Sequence, residues 1–163
     1  MTEPDDLDRL PKTARRVARL LVDQEYPHPV QMLPDSARSA AEAAAGLGCD
    51  VAQIAKSIVF RRTEDDAPVV VIASGIKRVD EALVEQITGP LGRADAAFVK
   101  ERTGYSIGGV SPFGLPDDVV VVVDRDLLTH ERLWCAAGHP HAVVECTPGV
   151  LVALADGEPA AIS

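Results

Sequence analysis

Ser57-Ile58-Val59-Phe60-Arg61-Arg62-Thr63-Glu64-Asp65-Asp66-Ala67-Pro68-Val69-Val70-Val71-Ile72-Ala73 is the stretch that decides the architecture. Ser57 to Thr63 reads as a strand, and the acidic triplet Glu64-Asp65-Asp66 reads as a hairpin turn. Pro68 to Ala73 is a second strand, apolar at almost every position, which is the pattern of a central strand buried on both faces. Strands linked this tightly lie antiparallel, whereas a parallel crossover needs a dozen or more residues. A regular βαβ repeat is thereby excluded, and an α+β fold is expected.

Outward from the hairpin, the chain alternates helical and extended signals. Upstream, residues 1–10 read as frayed. Residues 12–25 read as an amphipathic helix, with Val17, Leu20 and Leu21 at helical spacing and Lys12, Arg15, Arg16 and Arg19 on the other face. Those charges suit a solvated face or a rim for a polyanion. The run Tyr26-Pro27-His28-Pro29 ends that helix, and Val30 to Leu33 is extended. Ser36 is the expected N-cap of an alanine-rich helix that Gly48 stops near Leu47. Asp50 then caps a short turn over Val51 to Ala55. This puts Lys56 at a helix-to-strand junction.

Downstream, Asp80 is placed to cap a helix through Ile87, with Leu83, Val84 and Ile87 inward. Gly89-Pro90-Leu91-Gly92 breaks the chain, and Ala94 to Val99 is a short apolar piece. Asp118 to Asp124 holds five consecutive valines and is the clearest core strand. One helical turn is expected at Asp126 to Leu128. Arg132 to Ala136 and Ala142 to Cys146 are strands, and Thr147-Pro148 opens a last helix to about Ala155. The sum is a mixed sheet of six or seven strands surrounded by helices.

Composition narrows the class. At 163 residues, one main domain is expected, and the 47% hydrophobic content suffices for a core. Aromatics are only 4%, so Val, Ala, Leu and Ile must fill that core. The formal net charge of −9 argues against a broad nucleic-acid surface and leaves room only for a local basic rim. Cys49, Cys135 and Cys146 are odd in number and show no CxxC spacing, which fits reduced thiols in a cytoplasm. No apolar run reaches membrane-spanning length, and the acidic Met1-Thr2-Glu3-Pro4-Asp5-Asp6 start is unlike a signal peptide.

Three features invite chemistry. In the loop Thr103-Gly104-Tyr105-Ser106-Ile107-Gly108-Gly109-Val110-Ser111-Pro112-Phe113-Gly114, glycine and proline define a shape whose N–H groups can bind an oxyanion. The same composition also suits a plain turn between strands. Ser111 lacks the second glycine of a hydrolase elbow, so a hydroxyl bonded to ligand or loop fits it better than a nucleophile. His139-x-His141 offers two imidazoles but no third metal ligand, so a histidine lining a pocket is the better reading than a metal centre. Lys56 stands between Ile54-Ala55 and Ile58-Val59, where an ammonium needs a partner. That partner is either an aspartate in a salt bridge or a ligand.

The order and spacing of several segments carry a resemblance. They are Ala40-Ala41-Glu42-Ala43-Ala44, Gln53-Ile54-Ala55-Lys56-Ser57-Ile58-Val59-Phe60, Gly75 with Val79-Asp80, the glycine/proline loop, and Trp134-Cys135-Ala136-Ala137-Gly138. Over residues 30–163 the chain resembles the YbaK/ProX family of aminoacyl-tRNA editing domains, also found inserted in bacterial prolyl-tRNA synthetases. The resemblance implies a strongly curved sheet in an editing domain at 30–163, with residues 1–29 forming an arm and helix packed on it. It implies a trans-acting deacylase that removes a small amino acid such as Cys, Ala or Ser from mischarged tRNA, with tRNA(Pro) expected.

By the same resemblance Lys56 matches the family lysine that contacts the terminal adenosine or its phosphate. Gly108-Gly109-Val110-Ser111-Pro112 matches the Gly-x-x-x-Pro loop. Lys56, Gly108, Gly109 and Ser111 are therefore the expected catalytic group, with loop amides serving the oxyanion and no metal or cofactor required. Lys56, Tyr105, Val110, Pro112, Gly138 and His139 are the expected substrate contacts. The bordering strand-loop is here Gly138-His139-Pro140-His141. Expected partners are the tRNA acceptor end and prolyl-tRNA synthetase or an elongation factor, for a cytoplasmic monomer or homodimer. Candidate rim cations are Arg61, Arg62, Lys77, Arg78, Lys100 and Arg102. Two other readings stay open: a non-catalytic aminoacyl- or nucleotide-binding module associated with a synthetase, and a thiol-dependent hydrolase using Cys135 or Cys146.

Overall fold

The computed structural model describes residues 9–26, 28–34 and 36–163. The frayed reading of residues 1–8, the role of Pro27 and part of the 1–29 arm therefore lie outside the described residues, whereas Leu10, also read as frayed, is buried in the core because its side chain joins the larger apolar cluster. The hairpin forms as expected. Strand β2 (Ile54–Arg62) pairs antiparallel with β3 (Pro68–Ser74) from Ala55↔Ser74 to Arg61↔Pro68. Every residue of β3 is buried. Its alternating side chains feed two apolar clusters, Val70 and Ile72 on one face and Val69, Val71 and Ala73 on the other. Each fully buried valine or isoleucine contributes about 1.5–3 kcal/mol.

The other strands are β1 (Val30–Met32), β4 (Leu91–Arg93), β5 (Val120–Asp124), β6 (Leu133–Ala136), β7 (Ala142–Cys146) and β8 (Glu158–Ala160). The sheet runs β1-β7-β6-β2-β3-β5-β8, with β4 paired to the far end of β2. It is mixed, since β2–β6, β3–β5 and β5–β8 are parallel and the rest antiparallel. Among the described residues, eight strands thus replace the six or seven expected. The additions are β4, hidden in the chain-breaking Gly-Pro-Leu-Gly run, and β8, an edge strand built around Pro159.

Among the described residues, five α-helices surround the sheet: α1 (Lys12–Asp23), α2 (Ala40–Leu47), α3 (Glu81–Thr88), α4 (Ala96–Thr103) and α5 (Pro148–Ala155). Helix α1 buries Ala14, Val17, Ala18 and Leu21 in the larger apolar cluster. The cap of α2 is Ser39, not Ser36. Its Oγ accepts the Glu42 N–H at 3.1 Å, a side-chain N-cap, and donates to the Glu42 carboxylate at 3.2 Å. In α3, Val84 and Thr88 take the inward face, and Ile87 is turned out at 44% exposure. The apolar piece near Ala94 is in fact the start of α4, capped by Asp95 through the Phe98 N–H and closed by Gly104 at φ +83°. Among the described residues, no helix is long and apolar enough to cross a membrane.

Candidate functional site

The site arises where two parallel strands part. Strand β2 meets β6 only at Ile54↔Trp134 and Ala55↔Cys135. On the same edge it meets β4 only from Phe60↔Arg93 to Arg62↔Leu91. Residues 56–59 therefore have β3 on one edge and an opening on the other. The Ile54 carbonyl and the Arg62 N–H bond on the β3 side, to Gly75 and Ala67. Strand alternation then turns the amide and carbonyl of Ser57 and Val59 into the opening.

A cavity of about 570 Å³ occupies this opening, within the range of ligand pockets. Lys56, Ser57 and Ile58 line it from β2, Gly108 and Val110 from the glycine/proline loop, and Pro140 and His141 from the β6–β7 turn. Lys56 lies inside β2, not at a helix-to-strand junction, because the turn capped by Asp50 ends at Gln53. Its Nζ donates to the Lys77 carbonyl at 2.6 Å. The salt bridge to an aspartate is replaced by a backbone carbonyl, which holds the ammonium without neutralising it. The turn that supplies this carbonyl is packed hard: a Cβ on Gly75 would meet the Val51 carbonyl oxygen at 2.6 Å.

The glycine/proline loop divides its residues between two tasks. Gly108 (φ +86°) and Val110 reach the cavity. The Gly109 N–H is closed onto the Ser106 carbonyl at 2.9 Å, so it leaves the set of amides open to an oxyanion. Gly109 packs instead on the β6–β7 turn, where a Cβ would lie 2.7 Å from the His139 carbonyl carbon. Ser111 is fully buried, and its Oγ accepts the Phe113 N–H at 3.2 Å. Tyr105 is also fully buried and donates its hydroxyl to the Phe113 carbonyl at 2.6 Å, with the Arg16 guanidinium 5.1 Å from its ring centroid. Burial raises its phenol pKa. Tyr105 and Ser111 thus brace the loop from behind and do not line the cavity. Pro112 faces a separate cavity of about 440 Å³, bounded by Leu20, Val119 and Leu154.

The β6–β7 turn divides likewise. His141 lines the cavity, whereas His139 sits behind it and accepts the His141 N–H on Nδ1 at 3.1 Å. Gly138 (φ +89°) is packed against the start of α1, where a Cβ would meet the Thr13 carbonyl oxygen at 2.5 Å. Among the described residues no cluster of His, Cys, Asp or Glu is placed to hold a metal.

The thiol-dependent reading fails on geometry. Cys135 and Cys146 are buried side by side, with sulfurs 3.3 Å apart, and neither lines the cavity. The Cys135 pKa is pushed well up by the hydrogen bond with Cys146 and then by burial, the reverse of an activated thiolate. Two contributors escaped the linear reading. Ser57 carries a buried Oγ with no hydrogen-bond partner among the described residues, at the cavity wall. Arg38 lines the same cavity from the segment before α2. A Lys-Ser pair inside an apolar strand was the available signal for Ser57.

Comparison with known proteins gives a consistent result. The model for the aminoacyl-tRNA editing domain matches residues 34–154. A crystal structure of a candidate trans-editing enzyme for prolyl tRNA synthetase is 36% identical, with a TM-score of 0.87 over 94% of this chain and 98% of that one. The hypothetical protein APE2540 is 30% identical, with a TM-score of 0.81 over 90% of this chain and 98% of its own. The Bacillus subtilis (strain 168) protein YwhH is 34% identical over 114 residues, 69% of this chain and 72% of YwhH. With that model spanning most of its length, the chain belongs to the aminoacyl-tRNA editing domain family.

Proposed function

We propose that this chain is a trans-acting deacylase that hydrolyses the ester of a tRNA carrying a wrong, small amino acid such as Ala, Ser or Cys, with tRNA(Pro) as the tRNA. The observation that supports this most is the meeting of Lys56 with Gly108 and Val110 across one cavity, although about fifty residues separate them in sequence. An aminoacyl ester is already activated, so positioning supplies much of the acceleration. Water attacks the ester carbonyl carbon, and the tetrahedral oxyanion forms beside main-chain N–H donors. In this reading those donors are Gly108, Val110 and the open edge of β2 at Ser57. The C–O bond to the ribose then breaks, and the ribose oxygen takes a proton to leave free amino acid and tRNA. Lys56, held by a carbonyl, keeps its positive charge for the ester or the adjacent phosphate. Ser57 Oγ is a further candidate to hold the water or the substrate carbonyl.

The cavity wall is mostly aliphatic, with Leu33, Ala43, Ile58, Val110 and Val143. Such a wall selects by size, the weak discrimination on which double-sieve editing rests. Proposed partners are the tRNA acceptor end and, for delivery, prolyl-tRNA synthetase or an elongation factor, in the cytoplasm. The test is a panel of Ala-, Ser- and Cys-tRNA(Pro) beside other mischarged tRNAs. Release of a small amino acid from tRNA(Pro) in preference to the others supports the proposal. Binding with no release from any tRNA sinks it and leaves the non-catalytic module.

A further inference from the structure

The charge distribution around the cavity departs from that of the chain. Acidic residues number 25 against 16 Lys and Arg, yet no Asp or Glu lines the 570 Å³ cavity, whose ionisable residues are Arg38, Lys56 and His141. Two other cavities carry carboxylates, Asp117 and Asp156 in one and Glu131 and Glu145 in the other. Elsewhere four of the six candidate rim cations are already engaged, and the other two, Arg78 and Lys100, do not line this cavity. Arg61 pairs with Asp66, Arg62 with Asp65, Lys77 with Asp126 and Arg102 with Asp118. Arg38 has no ion pair or hydrogen bond among the described residues, and it is exposed. The nearby carboxylate of Glu42 is engaged by Ser39.

Two cations thus stand at different depths of one acid-free cavity. Lys56 is half-buried and fixed on a carbonyl, and Arg38 is exposed at the mouth. A ligand whose ester lies inside must lead its remaining polynucleotide out past that mouth. We infer that Arg38 contacts a phosphate of the single-stranded acceptor end, next to the terminal adenosine, and sets where the strand leaves the cavity. This rests on the deacylase reading for its ligand. The planar guanidinium suits the task because it pairs with a phosphate in bidentate fashion and is always charged. The next residue, Ser39, is the N-cap of α2 and accepts the Glu42 N–H, so Arg38 directly precedes an anchored helix start.

The test measures binding, so it does not depend on turnover. Affinity for a 5′-fluorescein-labelled CCA trinucleotide is measured by anisotropy across a salt series, for the wild type, Arg38→Ala and Arg38→Lys. Adenosine bearing a 3′-amide-linked alanine serves as a phosphate-free probe. Arg38→Ala is expected to weaken the trinucleotide about tenfold and to lower the slope of log K against log salt by about 0.7, the single-strand value for one phosphate. Its affinity for the phosphate-free probe stays at the wild-type value, and Arg38→Lys keeps the slope. An unchanged slope, an equal loss on the phosphate-free probe, or no trinucleotide binding by the wild type overturns the inference. A wild type that binds but releases no amino acid refutes the deacylase reading alone.

Discussion

Gly109 and Ser111 lie two residues apart, and exchanging each for alanine separates two accounts of the loop. A Cβ at 109 would stand 2.7 Å from the carbonyl carbon of His139, 2.9 Å from its Cα and 2.9 Å from the Pro140 nitrogen. All three are main-chain atoms, so no rotamer change relieves the clash. Ordinary carbon contacts need about 3.5–4.0 Å, so the loop and the β6–β7 turn must separate by about 1 Å. Overpacking of this kind costs about 1–3 kcal/mol. Val110 and Pro140, both on the cavity wall, move with it. A displacement of about 1 Å at reacting groups costs about 10²-fold in rate. Ser111→Ala removes the acceptor of the Phe113 N–H, and an amide left unpaired costs about 1–3 kcal/mol. The two variants therefore lose similar stability, but only Gly109→Ala reshapes the cavity. The assay is single-turnover deacylation, normalised to the folded fraction from urea denaturation. Gly109→Ala is expected to lose about 10²-fold, with Ser111→Ala close to wild type. A Ser111→Ala protein that folds normally and has no turnover would refute the reasoning, as would a fully active Gly109→Ala.

Other consequences follow from the same geometry. Tyr105→Phe deprives the buried Phe113 carbonyl of its donor, so urea denaturation should show a loss of about 1–3 kcal/mol with substrate affinity little changed. Gly75→Ala drives a Cβ into the Val51 carbonyl, shifting the turn whose Lys77 carbonyl holds Lys56. Deacylation should fall more than stability does, and a wild-type rate would separate that turn from catalysis. Cys135 and Tyr105 both bind their protons more tightly folded than unfolded. Their stabilisation is whole below the unfolded pKa values, about 8.5 for a thiol and 10 for a phenol. Above these, each group should lower stability by up to about 1.4 kcal/mol per pH unit. Denaturation at pH 8, 9 and 10 checks this, and a flat profile contradicts it.

The hairpin, the valine strand and most caps were legible because local chemistry specifies them. Ser39 was missed because Ser36 also suits a cap, and the Glu at the third helical position decides between them. Helix α4 was missed because Ala96 to Val99 is contiguous and apolar, with its helical period visible only beyond Val99. Lys56 and the glycine/proline loop stood out by residue type. Ser57 and Arg38 did not, because the cavity exists only where β6 leaves β2 after Ala55, a matter of register that no linear motif records. Tyr105, Ser111, Gly138 and His139 share a segment with cavity residues yet sit one layer behind them. Spacing along a loop does not tell the front of a wall from its back.

The central claim is that this cavity hydrolyses an aminoacyl ester with Lys56 as its fixed cation. The most direct measurement is the single-turnover release of free amino acid from Ala-tRNA(Pro) by the wild type and by Lys56→Ala, at equal folded concentration. Release by the wild type, reduced about 10²–10³-fold in Lys56→Ala, is the predicted result. Equal rates for the two proteins would contradict the account.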